Sequence, residues 1–275
     1  MRTHKSGRQA RTFFAVFLTA LLVATAACER WIVDPGPQPS YIEQRDHEPL
    51  LNVFGLLRPD SLEGNPLSFV HLEGSFAATD SFPDSLDIWD AEVVLFRYDG
   101  AAVADSLRLT HTDFGVAIAD SQYRHPDLYP TALTTWGLAC RKEGFPTLTA
   151  TTTVPAAPVI VDGSLTLTGN RLELAIQRDN SAAAYDIELW IGPDKFSERV
   201  RRPESGNTAV RIDFNAADQT EATLVIYAYD ANLSEYISAN IGAKPNTYQP
   251  SFSTVDNGLG CFGSLGLYEK SLALP

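Results

Sequence analysis

Cysteine is too scarce in this chain to hold it together: three occur in 275 residues, at positions 28, 140 and 261. A disulfide-stapled miniature fold is therefore excluded, and stability must come from a buried core. With no histidine close to Cys140 or Cys261, a structural zinc site built on thiolates is excluded as well. Apolar residues never run on for long. The longest stretch, from Thr12 to Ala27, has about sixteen residues where a membrane-spanning helix needs roughly twenty. Basic residues are outnumbered, 21 Lys+Arg against 34 Asp+Glu, for a formal net charge of −13. Such a surface repels phosphate backbones and anionic headgroups, which argues against nucleic-acid binding and against attachment to membranes through a basic patch. The sequence also lacks a G-x-S-x-G nucleophile elbow, an H-E-x-x-H pair and a P-loop. These absences count against an enzyme without excluding one, because a glycosidase needs only two carboxylates that meet in space.

What is present is most specific at the N-terminus. Arg2, Lys5, Arg8 and Arg11 precede the apolar run, and no acidic residue occurs before Glu29. This is the profile of a secretory signal. The run closes on Ala24-Thr25-Ala26-Ala27 directly before Cys28. Small residues at 26 and 27 fit a lipobox, while Thr25 stands where an aliphatic residue is usual. Residues 1–27 thus read as a signal peptide and Cys28 as the lipidated residue. Ordinary cleavage after Ala26 or Ala27, leaving a soluble exported protein, is the competing reading. Several acyl chains, each methylene contributing about 0.8 kcal/mol, hold a protein durably. Removing four of the 21 basic residues with the signal leaves 17 against 34 acidic, a net charge near −17, so the lipid rather than electrostatics must anchor the chain. Residues 28–48, with Pro35, Pro37 and Pro39, read as anchor and tether.

From residue 49 the chain predicts short strands broken by turns. Leu50 to Leu57, Leu67 to Phe76, Ala91 to Tyr98, Ser106 to Thr110, Thr134 to Arg141 and Thr147 to Thr153 read as strands of a first domain, 49–158. Both faces of Ala91 to Tyr98 are apolar, which places it centrally. Pro155-Ala156-Ala157-Pro158 marks the boundary. Five further strands follow in 159–275, among them Ala184 to Ile191, where Tyr185, Ile187, Leu189 and Ile191 share a packed face and Asp186 and Glu188 lie on a wet one. Asn232 to Glu235 reads as a capping box before one short helix. The predicted class is all-β, two antiparallel, immunoglobulin-like β-sandwiches with a short helix near the C-terminus.

A cysteine after a signal, a tether, a first sandwich ending in Thr149-Ala-Thr-Thr-Thr-Val-Pro155, and the closing segment Asn257-Gly-Leu-Gly-Cys-Phe-Gly-Ser264 together resemble the domain of unknown function 4249 family of Bacteroidota-type outer-membrane lipoproteins. Members accompany TonB-dependent receptors. The resemblance implies an exported outer-membrane lipoprotein, on the periplasmic or surface face, with a non-enzymatic accessory role beside such a receptor. It implies no catalytic residue. A carbohydrate-active or other hydrolytic lipoprotein and an adhesion module are the alternatives.

Several local patterns invite chemistry. Gly258-Leu-Gly-Cys-Phe-Gly263 matches G-x-G-x-x-G, but no βαβ unit surrounds it, so the glycines read as a turn or bulge allowing close backbone packing. Asp80, Asp84, Asp87 and Asp90 cluster before the central strand and are the calcium candidates, against ordinary turn chemistry. No other cofactor is indicated. His111 and His125 each precede an aspartate by two residues and read as turn or surface residues. Tyr123 and Tyr129, in the irregular stretch Asp120 to Pro130, are the aromatics expected outside the core and the candidate ligand contacts. Cys140 and Cys261, each among apolar neighbours, read as buried thiols, with a disulfide between them as the alternative.

Overall fold

The first strand, β1 (Leu51–Leu57), sets the pattern: Leu51, Val53 and Leu57 point into a core while Asn52, Phe54 and Leu56 face the other way. This period of two recurs along the chain. The computed structural model describes residues 48–75, 86–113, 121–201, 206–215, 219–239 and 253–274. After β1 come the two-residue strands β2 (Ser61–Leu62) and β3 (Asn65–Pro66), then β4 (Phe69–Gly74), β5 (Glu92–Asp99), β6 (Ala102–Asp113), β7 (Ser121–Arg124), β8 (Thr135–Arg141) and β9 (Leu148–Thr153). The second half holds β10 (Val159–Ile160), β11 (Thr166–Thr168), β12 (Arg171–Gln177), β13 (Ala184–Ile191), β14 (Asp194–Arg201), β15 (Thr208–Asp213) and β16 (Glu221–Tyr229). Helix α1 (Ala231–Ser238), β17 (Val255–Asp256) and β18 (Gly258–Ala273) close it. The protein is thus nearly all-β, with one helix among the described residues, and that helix is too short and too polar to cross a membrane.

Twelve strands form one continuous path, β14-β13-β16-β18-β1-β4-β7-β6-β5-β8-β9-β17. Two strands change partner along their length. In β6, Ala102 to Leu109 pair with β5 while Thr110 to Asp113 pair with β7, so a single strand passes from one layer to the other. One cluster draws Leu51, Val70, Leu95, Leu109, Leu138 and Leu148 together from both layers. In the second half, β12 and β15 face β13 and β16 across a cluster that includes Leu174, Ile187, Val210 and Ile226. As its doubly apolar pattern predicts, β5 is central, between β6 and β8.

The closing strand changes the expected division of the chain. Gly258 to Ser264 run parallel to β1 and belong to the first half, while Leu265 to Ala273 pair antiparallel with β16 in the second. Val255 and Phe262 accordingly sit in the first core. After the boundary expected at 158 the chain thus returns to the first half, and His47–Pro275 is one compact unit. The glycines of this segment lie in a strand rather than a turn, but they do permit close packing. A Cβ on Gly263 would fall 2.8 Å from Leu233 Cβ, and one on Gly266 2.5 Å from the carbonyl oxygen of Ala156.

Other expectations are revised too. Asp186 and Glu188 lie on the face opposite the core yet are 7% and 8% exposed. Neighbouring β14 covers them: Arg199 pairs with Asp186, and Lys195 Nζ lies 3.0 Å from Glu188 Oε1. Tyr229 Oη also donates to Asp186, and Trp190 Nε1 to Glu188 at 2.9 Å. Burial of two carboxylates is tolerated because each is paired and hydrogen-bonded. The helix is capped by Asp230, two residues earlier than the predicted Asn232: its Oδ1 accepts from Leu233 N at 2.9 Å.

Candidate functional site

Strand alternation brings one set of side chains to the outer face of the sheet formed by β1, β4, β7 and β6. Core-facing Val53, Val70, Tyr123 and Leu109 fix the inner face. Asn52, Phe54 and Leu56, then Phe69, His71 and Glu73, then Gln122 and Arg124, then Thr110 and Thr112 therefore share the other. Part of this face is roofed by α1, whose Tyr236 ring lies 5.4 Å from that of Phe54. Two features stand on the remainder.

The first is a cluster of three metal-ligating side chains. His71 and Glu73 are two residues apart on β4, so they project side by side. Asp87 joins them because 86–88 runs along β4, with Gly74 N donating to Leu86 O at 2.8 Å and Ile88 N to Leu72 O at 3.0 Å. His71 Nε2 lies 3.2 Å from Glu73 Oε1 and 3.7 Å from Asp87 Oδ1. All three ligand atoms lie within 4.8 Å of one another. Across the strand pair, Asn52 Nδ2 donates to Glu73 Oε2 at 3.1 Å. The hydrogen bond from His71 holds the Glu73 carboxyl below its ordinary value, outweighing the effect of burial, and Asn52 adds to it.

The second is an open groove of about 400 Å³, in the range of small-ligand sites. Leu62, Glu63, Asn65, Pro66 and Leu67 form one wall, and Thr110, Thr112, Arg124, His125 and Pro126 the other. The β2–β3 hairpin that builds the first wall turns on Glu63 (φ 51°) and Gly64 (φ 81°), both left-handed, as a two-residue type I′ turn requires. Glutamate is an unusual residue there, and strained backbone of this kind concentrates at binding sites. Leu62, beside it, is 65% exposed. Arg124 is oriented by its Nε, which donates to Gln122 Oε1 at 2.9 Å, and by the Phe69 ring 5.9 Å away.

The predicted site residues are distributed unevenly over this geometry. Cys28, Asp80 and Asp84 lie outside the described residues. Asp87 belongs to the cluster with His71 and Glu73, whereas Asp90 pairs with Lys142. Tyr129 is 45% exposed and its Oη donates to Gly64 O at 2.5 Å, bracing the groove hairpin. Tyr123 is a correction: it is 2% exposed and lies on β7, while 125–130 of the same stretch carry no strand. Its Oη donates to Ile88 O and accepts from Ala91 N, both at 2.9 Å, so it pins 86–91 to the core. His125 is turn chemistry, with Nδ1 accepting from Asp127 N at 3.1 Å, though it lines the groove. His111 meets the edge of the Tyr123 ring. Sequence reasoning missed His71 and Glu73. Their signal was a histidine two residues from a carboxylate on a strand, which is visible only once the strand's wet face is known.

No family model matches the chain, and no curated protein matches it. Among solved structures it is similar to the crystal structure of chicken CNTN1 FN1-FN3 domains, at 11% identity and a TM-score of 0.28, covering 81% of this chain. It spans 66% of that chain, just under two thirds of its length.

Cys140 and Cys261 are both free and both buried. Burial pushes each thiol up to about 12, with Thr254 partly offsetting this at Cys261. Neither is expected to react while folded. In a Cys28→Ala protein, a thiol-specific chromogenic reagent at pH 8 should titrate no cysteine before guanidinium is added and both afterwards. Rapid labelling of either in the native state would contradict this packing.

Proposed function

We propose that this protein is a cell-envelope lipoprotein, anchored through Cys28, that binds a partner beside an outer-membrane TonB-dependent receptor. The observation that carries the binding role is the groove between the β2–β3 hairpin and β6–β7. It combines an exposed apolar side chain, Leu62, with the cationic Arg124 on an otherwise acidic protein. A loop presenting an apolar residue beside a carboxylate fits both. The signal-like N-terminus and Cys28, and the resemblance of Thr149 to Pro155 and Asn257 to Ser264 to the lipoprotein family, support the location and the receptor. We read the two cores as two immunoglobulin-like sandwiches sharing β18, a rigid scaffold that presents the groove on short loops. The hydrolytic alternative is less well supported, because the groove carries one carboxylate, Glu63, among its described lining residues where a glycosidase needs two.

Two variants test this reading. Cys28→Ala should move the protein from the membrane to the soluble fraction and abolish a diacyl or triacyl mass increment. Leu62→Asp, at an exposed position, should leave folding and anchoring intact but remove a TonB-dependent receptor from the material co-purified with wild type. An unlipidated wild type would overturn the location. Failure to co-purify any such receptor with wild type, or equal recovery with Leu62→Asp, would overturn the binding role of the groove.

A further inference from the structure

The cluster of His71, Glu73 and Asp87 is neither part of the groove nor needed by the binding role argued above. It has the composition and spacing of a metal site. Ligand atoms held at about 2.0–2.2 Å from one ion are separated by about 3–3.5 Å in tetrahedral or octahedral geometry. The His71 to Glu73 distance of 3.2 Å falls within that span, while the His71 to Asp87 distance of 3.7 Å, in a cluster whose three ligand atoms lie within 4.8 Å of one another, requires the half-exposed aspartate to move inward. A surrounding shell is present too. Asn52 Nδ2 fixes the Glu73 carboxylate from β1, the role that outer hydrogen bonds play for ligating carboxylates. Phe54 stands directly opposite His71 in the β1–β4 register.

We propose that His71, Glu73 and Asp87 form a three-ligand site for a divalent transition-metal ion of the zinc type. The imidazole decides the class of ion, since nitrogen suits zinc, cobalt and nickel, whereas calcium and magnesium take oxygen. The site would also clamp 86–88 onto β4, adding a metal link to a junction held by the isolated Glu73–Asp87 bridge and neighbouring backbone hydrogen bonds. Aspartate 87 would thus serve a metal other than the calcium that the acidic run suggested.

The test is titration of the purified full-length Cys28→Ala protein with Zn²⁺ and with Ca²⁺ by calorimetry, together with the visible absorption of bound Co²⁺. Zn²⁺ should bind saturably, one ion per chain, and more tightly than Ca²⁺. Co²⁺ should show bands typical of mixed nitrogen and oxygen ligation. His71→Ala should abolish binding, and Asn52→Leu should weaken it by about 10- to 100-fold without removing a ligand. Circular dichroism checks that each variant is folded, and Asp87→Asn, at the most exposed ligand, serves where His71→Ala is not. Three results would overturn the proposal: no saturable Zn²⁺ binding, Zn²⁺ binding unchanged in the folded ligand variants, or preference for Ca²⁺.

Discussion

Replacing Gly260 with alanine is expected to cost more than about 4 kcal/mol, enough to abolish soluble expression of a domain of ordinary stability. Gly260 has φ of +102°, which strains any residue with a side chain. The added Cβ would also lie 2.0 Å from Val53 O and 2.8 Å from Asn52 Oδ1. Val53 O is backbone and cannot swing aside as the Asn52 side chain can. Val53 O belongs to β1, which is paired on both sides, with β18 and with β4. Relief therefore requires the parallel β1–β18 ladder to separate, and that ladder joins the end of the chain to its first strand. Gly144→Ala supplies the control, because its φ of +86° carries the same kind of strain but nothing lies within 4 Å of the added atom. It should cost about 1–3 kcal/mol. Urea melts of the two variants, or expression yield where one cannot be purified, separate clash from strain. Equal stability of the two would show that β1 yields.

Asp230→Ala should destabilise by about 3 kcal/mol, the sum of a lost helix cap and buried donors left unpaired. In a unit of this size that lowers the melting temperature by about 6–12 °C. The reason lies in the seam between β9 and β18. These strands run close together with no shared ladder, and side chains bridge them. Thr152 Oγ1 donates to Asp230 Oδ2 at 2.5 Å and lies 2.8 Å from Ser264 Oγ, which donates to Thr153 O at 3.0 Å. Asn232 Nδ2 reaches both Thr151 O and Phe262 O. Asp230 thus caps α1 and closes the seam with one carboxylate.

Burial raises the Asp230 pKa above its ordinary 3.8, outweighing hydrogen bonds that lower it. The folded state therefore holds this proton more tightly than the unfolded chain. Its ionised form costs stability above the folded pKa, and the cost fades as pH falls through that value toward 3.8. Asp230→Asn keeps the Oδ1 acceptor and removes the charge. It should lose less than alanine does at neutral pH, and it should abolish the Asp230 share of the pH dependence, read as a difference between wild-type and variant melting curves from pH 4 to 7.

Much of the fold follows from local pattern. The alternation of Leu51 to Leu57 and the doubly apolar stretch around Val93 to Phe96 predict strands of the right kind in nearly the right places, because period and turn residues are written locally. Exposure was less legible where a neighbour supplies it. Asp186 and Glu188 read as wet until β14 brings Arg199 and Lys195 over them. Tyr123 read as a loop residue because the four residues of β7 are too few to show alternation. The candidate metal site was half visible: the acidic run pointed to Asp87, but His71 and Glu73 lie on another strand.

By itself, then, the sequence determined the class of the protein, its excess of acidic residues and its scarcity of disulfide chemistry, since composition and short-range periodicity carry these. Tertiary structure alone decided that β18 serves both halves, that the seam is closed through Asp230, and that Asp87 meets His71 and Glu73. These depend on contacts between residues far apart in the chain, such as the 78 positions from Thr152 to Asp230. Their free energy comes from burial and pairing that no local window contains.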